Sequence, residues 1–269
     1  MLTLIRLREQ NGIDKKIIKH IIKTAGFLAV FLFRKRLIMK KRITLYSEIA
    51  YIIAILILSF SVAMVSAADL GMSMIVAPAY ILSQKVECLT FGQSEYVIQA
   101  ILFIVFCVLM KKVKLVYFTS FLNCIVYGAV LDMWRKIIPV FNPAVTEPGS
   151  MSMPVRIIFF VVSSLITAIA IAMFFRIYLY PQVYDFFVKG ITEHFKIDQT
   201  KFKTGFDLSC LTLSVIMTLV LFKSFVGIGF GTIILALVNG SIIGAFGKLI
   251  DKFFEIKPLF PKFAEKFEL

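Results

Sequence analysis

Six uncharged apolar stretches leave this chain little choice of fold: residues 49–68, 96–110, 115–131, 157–175, 208–222 and 224–247, which are 20, 15, 17, 19, 15 and 24 residues long. A hydrocarbon layer about 30 Å thick is crossed by roughly 20 helical residues, so each stretch is a candidate membrane helix. The two 15-residue stretches cover only about 22 Å, and their flanking residues must therefore enter the membrane. Water offers no alternative. With 59% of residues hydrophobic, 17% charged and 28 phenylalanines, a soluble fold would leave most of its apolar surface uncovered.

Thirty Lys and Arg against sixteen Asp and Glu give a formal charge of +14. In a soluble protein that excess would suggest nucleic acid, but here its placement argues for anionic lipid headgroups. Twelve of the cations lie in the first 42 residues, and most of the others fall in short segments between apolar stretches. With six spans and a cytoplasmic N-terminus, twenty-five cations face the cytoplasm and five face the other side. That bias orients the chain with both termini cytoplasmic.

Ahead of the first stretch, Ile13, Ile17, Ile18, Ile21 and Ile22 share one helical face, with Lys15, Lys16, Lys19 and Lys23 elsewhere. This is the pattern of a basic amphipathic helix lying in the membrane interface. Residues 25–33 are too few to span, and a long basic region before them with no small-residue cleavage site after them does not suit a signal peptide.

The chain also repeats itself. A shift of 112 residues lays Glu95 on Asp207, Lys111 on Lys223, Ser120 on Thr232, Val126 on Val238 and Gly128 on Gly240, and the two short stretches coincide. Each half carries three spans, so the second enters from the opposite side, an inverted-topology repeat. Each half also has an interrupted segment after its first span, residues 69–94 and 180–206. The first holds an uncharged run, 71–84, broken by Pro78; the second holds Pro181, Tyr184, Phe186, Phe187 and Val188 before Gly190. Two readings stand: re-entrant half-helices whose backbone is satisfied by protein or a water-filled cavity, or surface loops bearing a short helix.

Glu95 and Asp207 stand out chemically, because each opens a short span and is drawn toward lipid depth, where a carboxylate binds a proton, a cation or an amine. Simple helix capping near the headgroups is the plainer alternative. Asp69 precedes Gly71 and Ser73 at the mouth of the first interrupted segment, whereas Asp132 is expected to pair with Arg135 or Lys136 at the interface beside Trp134. In the last stretch Gly227, Gly231, Ala236, Gly240 and Gly244 form a small-residue stripe suited to packing against the third span, with homodimer formation or pore lining as the alternatives. Gly227, Gly229 and Gly231, followed by Thr232, also stand where an unwound helix start would expose carbonyls to a ligand. Four scattered cysteines and two histidines give no metal-ligand or disulfide pattern, and no catalytic motif is present, so neither metal, cofactor nor enzymatic activity is expected.

The stretch from Ala68 to Ser73, the continuation from Pro78 to Ser83, and Leu89 to Gly92 resemble the first half of the YczE/YitT-like bacterial integral membrane proteins. Tyr127, Gly128 and Asp132 close that half similarly. In the second half Tyr180, Pro181, Phe206, Asp207, Val226, Gly227, Gly231, Thr232, Asn239 and Gly240 are similar to the family's recurring positions. The resemblance spans roughly residues 45–250 and implies a multi-pass protein of the bacterial plasma membrane, often described as a permease, one relative being associated with peptide-antibiotic biosynthesis. The chain departs from the family pattern at Met74 and at Gln182 to Tyr184.

Together these readings describe an all-α membrane protein of six transmembrane helices in two inverted three-helix repeats. Its expected parts are a basic N-terminal segment (1–43), a first repeat (44–136), an extracytoplasmic loop (137–153), a second repeat (154–250) and a cytoplasmic tail (251–269). The expected function is transport of a small solute in a cavity between the halves, lined by Asp69, Gly71, Ser73, Glu95, Pro181 and Asp207, with Gly231 and Thr232 close by. Tyr80, Tyr127, Tyr180 and Tyr184 would add aromatic contacts or cation recognition. The competing expectation is a membrane scaffold that serves a biosynthetic or regulatory assembly and docks a partner through its basic N-terminal face.

Overall fold

The computed structural model describes residues 42–111, 117–147, 149–179 and 182–265. The amphipathic helix expected around residues 13–23 lies outside them, as do Tyr180 and Pro181. Residues Thr44–Leu269 form one compact unit.

Helix α1 (Ser47–Ala68) ends where Asp69 turns left-handed at φ 49°. Its closing carbonyls are met by the Arg156 guanidinium, with Nε donating to Ala68 O at 2.7 Å and Nη2 to Asp69 O at 2.5 Å. The short α2 (Ala77–Lys85) begins with Pro78 in its first turn, where a missing N–H costs nothing. Helix α3 (Phe91–Met110) is opened by a reciprocal capping box between Thr90 and Gln93. Then come α4 (Tyr117–Ile137), a 3-10 turn (Pro139–Phe141) and α5 (Met153–Phe174), which also has a proline in its first turn. The second half continues with α6 (Val183–Phe195), α7 (Gln199–Phe222) and α8 (Phe230–Phe253). Two four-residue strands, β1 (Ile43–Tyr46) and β2 (Phe254–Lys257), pair with each other, and a short α9 (Pro261–Ala264) follows.

Among the described residues, five helices are long and apolar enough to cross a bilayer: α1, α3, α5, α7 and α8. Six were expected. The 21-residue α4 is long enough, but Asn123, Asp132, Arg135 and Lys136 reduce its apolar character and it is not among the five. The two stunted spans are full-length helices, because capping starts them early: α3 has 20 residues and α7 has 24, the latter opened by Asp198, whose side chain accepts from Lys201 N at 2.8 Å. Glu95 therefore sits in the second turn of α3 and Asp207 in the third turn of α7. Neither is a cap.

Helix α1 lies along α5, with α4 packed on α1 and α8 packed on α5. The short helices straddle the halves: α2 packs on α3 and α7, and α6 packs on the same two helices. Close approach of α3 and α4 depends on glycine, since a Cβ on Gly92 would run into the Gly128 carbonyl. The corresponding α7 and α8 share no broad contact. Gly240 and Gly244 of α8 have open space beside them, so the small-residue stripe does not pack against α4 as expected. Val220 of α7 and Phe230 and Leu237 of α8 are among the most exposed apolar side chains, as befits surfaces that meet lipid.

On the other side of the bundle α6 is fastened to α3 by aromatic contacts. The Phe106 ring lies 4.6 Å from Phe186 between centroids, and Gly190 makes room for it, since a Cβ there would sit 2.6 Å from the ring. The 69–76 connection meets the loop before α8 and the first turn of that helix, with Met72 N donating to Gly227 O and Gly231 N to Leu70 O, both at 2.9 Å.

Candidate functional site

A cavity of about 440 Å³ occupies the bundle between the two halves. Leu58 and Val62 of α1, Thr167 and Phe174 of α5, and Leu235, Asn239 and Gly240 of α8 contribute to its walls. Gln199, Lys203 and Asp207, spaced four residues apart, present one face of α7 to it. The segment from Ser73 to Val76 lines it beside Val62 and Asn239, which belong to the middles of long helices, so this part of the chain reaches well inside the bundle.

Both short helices begin at this cavity. Val76, the residue preceding α2, and Gln182, the residue preceding α6, are part of its lining, and their helices lead away from it. The first five residues of α2 are buried, and Val183 of α6 is fully buried. A helix start carries partial positive charge, so two such starts in one cavity favour an electronegative group between them.

Three ionisable side chains of opposite sign project into the same space. Lys203 Nζ lies 3.5 Å from Asp207 Oδ1 and 3.9 Å from Asp185 Oδ1, which makes a cluster of net charge −1. The Asp185 side chain is about a third exposed, at 34%, and that exposure faces the cavity. Burial pushes its carboxyl above the ordinary aspartate range, and the Lys203 ammonium pulls it back part of the way. Tyr127 and Tyr184 supply phenol rings to the wall.

Glu95 lies one residue behind that wall and is fully buried. Its Oε2 accepts from Gln99 Nε2 at 3.0 Å and from the Tyr184 hydroxyl at 3.0 Å. Gln99 in turn accepts from Val183 N at 3.1 Å, so the start of α6 is tied to the middle of α3 through this side chain. Glu95 Oε1 has no hydrogen-bond partner among the described residues.

The residues singled out from the sequence divide between the cavity and other places in the fold. Ser73 and Asp207 line the cavity, as do Tyr127 and Tyr184. Asp69 sits at the end of α1, its Oδ2 3.5 Å from Arg156 Nη2, in a position that is 40% exposed; burial raises its carboxyl and the Arg156 charge lowers it. Gly71, at φ 118°, lies against Thr232 and Gly229, where a Cβ would be 2.6 Å from Thr232 Oγ1. Gly231 and Thr232 belong to the first turn of α8, against the 69–76 connection, and are not part of the cavity lining. Tyr80 packs edge-on against Phe91. Asp132 does not form the expected interfacial pair; its Oδ1 accepts from Gly92 N at 2.9 Å and its Oδ2 from the Thr90 hydroxyl, which secures the start of α3.

Asp185 and Lys203 escaped the sequence reading, and Gln182 and Asn239, noted there only through the family resemblance, were not among the expected site residues. The four-residue spacing of Gln199, Lys203 and Asp207 was a usable signal, because it puts three polar side chains on one face of a helix that must enter the membrane. No comparable signal marked Asp185, whose importance comes from a chain crossing that brings α6 beside α7.

The chain matches the model of a family of unknown function (DUF6198) over residues 45–248. No curated protein and no solved structure matches it.

Proposed function

We propose that this chain, which belongs to that family, is a secondary transporter that carries a small solute bearing a cationic group across the bacterial plasma membrane. The observation that carries the reading is the 440 Å³ cavity, whose largely apolar wall holds the charged cluster of Asp185, Lys203 and Asp207, among helices whose outer faces are apolar. Charged groups at such depth are costly and are associated with solute and ion pathways. One uncompensated negative charge suits an ammonium group, and the Tyr127 and Tyr184 rings suit its apolar flank. Lys203 and the two helix starts suit a negative group elsewhere on the same solute.

Inverted repetition of the halves supports alternating access. The order of long, short, long and long helices recurs, and α1 with α4 is matched by α5 with α8. Lys111 and Lys223, equivalent under the 112-residue shift, both end their helices in the left-handed conformation, at φ 50° and 55°. With α4 as a sixth span, the halves traverse the membrane in opposite senses and the positive-inside bias puts both termini in the cytoplasm. The resemblance to YczE/YitT-like proteins agrees with this reading.

The test is thermal unfolding of the purified protein with amines, amino acids and neutral sugars added in turn. A solute that binds only the folded form at a hundred times its Kd adds about 2.7 kcal/mol. A primary-amine solute should raise Tm, and Asp185→Asn and Asp207→Asn should abolish that rise. Equal or absent responses to charged and neutral solutes would overturn the cation assignment.

A further inference from the structure

Among the described residues Glu95 is the one fully buried carboxylate, it is not part of the cavity lining, and its surroundings set it apart. It has no exposed surface, and both of its hydrogen bonds end on Oε2. Oε1 is buried without a partner among the described residues. No Lys or Arg among the described residues pairs with it. An ionised carboxylate left uncompensated in such a place costs roughly several kcal/mol, whereas a carboxylic acid does not carry that penalty.

The titratable groups facing Glu95 are Cys124 and Tyr127 of α4 and Tyr184 of α6, none of them cationic. Cys210 of α7 lies beyond, toward Tyr184. Of the titratable groups on α2, which also packs on α3, Tyr80 meets the Phe91 ring and Lys85 lies over the Phe222 ring. Tyr184 is thus the connection between two compartments: its hydroxyl touches Glu95, its side chain lines the cavity, and its neighbour in sequence is Asp185 of the charged cluster.

We infer that Glu95 holds the proton that drives solute passage and exchanges it with the cavity through the Tyr184 hydroxyl. The inference rests on the transporter reading for its purpose, and on the Glu95, Gln99 and Tyr184 geometry for its content. In the exchange the O–H bond of the Glu95 carboxyl breaks as the phenol oxygen takes that proton, and the phenol releases its own proton to water in the cavity. Tyr184 ends unchanged and Glu95 ends as a carboxylate that accepts from Gln99 and Tyr184, as its Oε2 does here.

Infrared difference spectroscopy of the full-length protein in lipid vesicles tests this with protons as the only probe. The wild-type minus Glu95→Gln spectrum at neutral pH should contain a carboxylic-acid C=O band that disappears reversibly as pH is raised. In Tyr184→Phe, which keeps Glu95, that band should respond to a pH jump more slowly than in the wild type. A difference spectrum showing a carboxylate at neutral pH overturns the inference. So does an acid band that never responds to pH while the protein stays folded, or one whose response is the same in Tyr184→Phe. If Glu95→Gln does not fold, the Tyr184→Phe kinetics decide alone. Lack of any solute effect on Tm would count against the transporter reading and leave the spectra fully interpretable.

Discussion

A carboxylate is defined by its neighbours, and Glu95 and Asp207 make the point by contrast. Equivalent under the 112-residue shift, they sit on corresponding helices, yet one is sealed among uncharged groups and the other shares a lysine with Asp185 in an open chamber. The sequence could pair the two acids because that pairing is a matter of spacing. It could not distinguish them, because Tyr184 lies 89 residues from Glu95 along the chain and Asp185 comes from a different helix than Asp207. Asp185 itself gives a pH prediction. Its carboxyl is raised, so on acidification it takes up a proton before an ordinary aspartate would at about pH 4. The charged form attracts an ammonium group, so affinity for an amine solute should weaken as pH falls, starting above the usual aspartate range. Binding isotherms across that range should show the loss in the wild type, and a smaller dependence in Asp185→Asn.

At the scale of elements, apolar length and proline or glycine placement carried most of the information. Long helices were legible from uncharged runs, and the interruptions at Pro78 and Gly190 marked the short ones. Helix starts were harder, because Thr90 and Asp198 cap α3 and α7 several residues ahead of the apolar runs and thereby enclose Glu95 and Asp207 within them. Packing partners were not readable: Gly240 and Gly244 of the α8 stripe face open space and Gly231 packs against Phe160 of α5, while the tight helix seam uses Gly92 and Gly128. At that seam the obstacle to a Cβ is a backbone carbonyl, which cannot rotate aside. Gly92→Ala should therefore lower stability by about 1–3 kcal/mol, the usual cost of overpacking, whereas Gly240→Ala, with nothing near it, should leave stability close to the wild type. Thermal or denaturant unfolding in detergent compares the two directly.

For the whole molecule, charge placement sets orientation, and orientation sets which side the cavity serves. Gln199 at the start of α7 and Asn239 in the middle of α8 both line the cavity. In the proposed orientation the start of α7 is cytoplasmic. After replacement of Cys88, Cys107, Cys124 and Cys210 by serine, single cysteines at 199 and 239 should react with a membrane-impermeant thiol reagent applied from the cytoplasmic face of oriented vesicles and not from the other face. Labelling from the opposite face alone would reverse the assigned topology. A cysteine replacing Leu237, on the outer face of α8, should resist the reagent from both sides.

The two halves share an order of long and short helices but differ in how their last two helices pack. Helices α3 and α4 are clasped through Gly92 and Gly128, while their counterparts α7 and α8 stand apart. In the proposed alternating-access cycle that difference marks one of two postures, the reversed one having α7 and α8 shut and the glycine clasp undone. A covalent tie across Gly92 and Gly128 would then arrest the cycle without touching a single residue of the solute chamber.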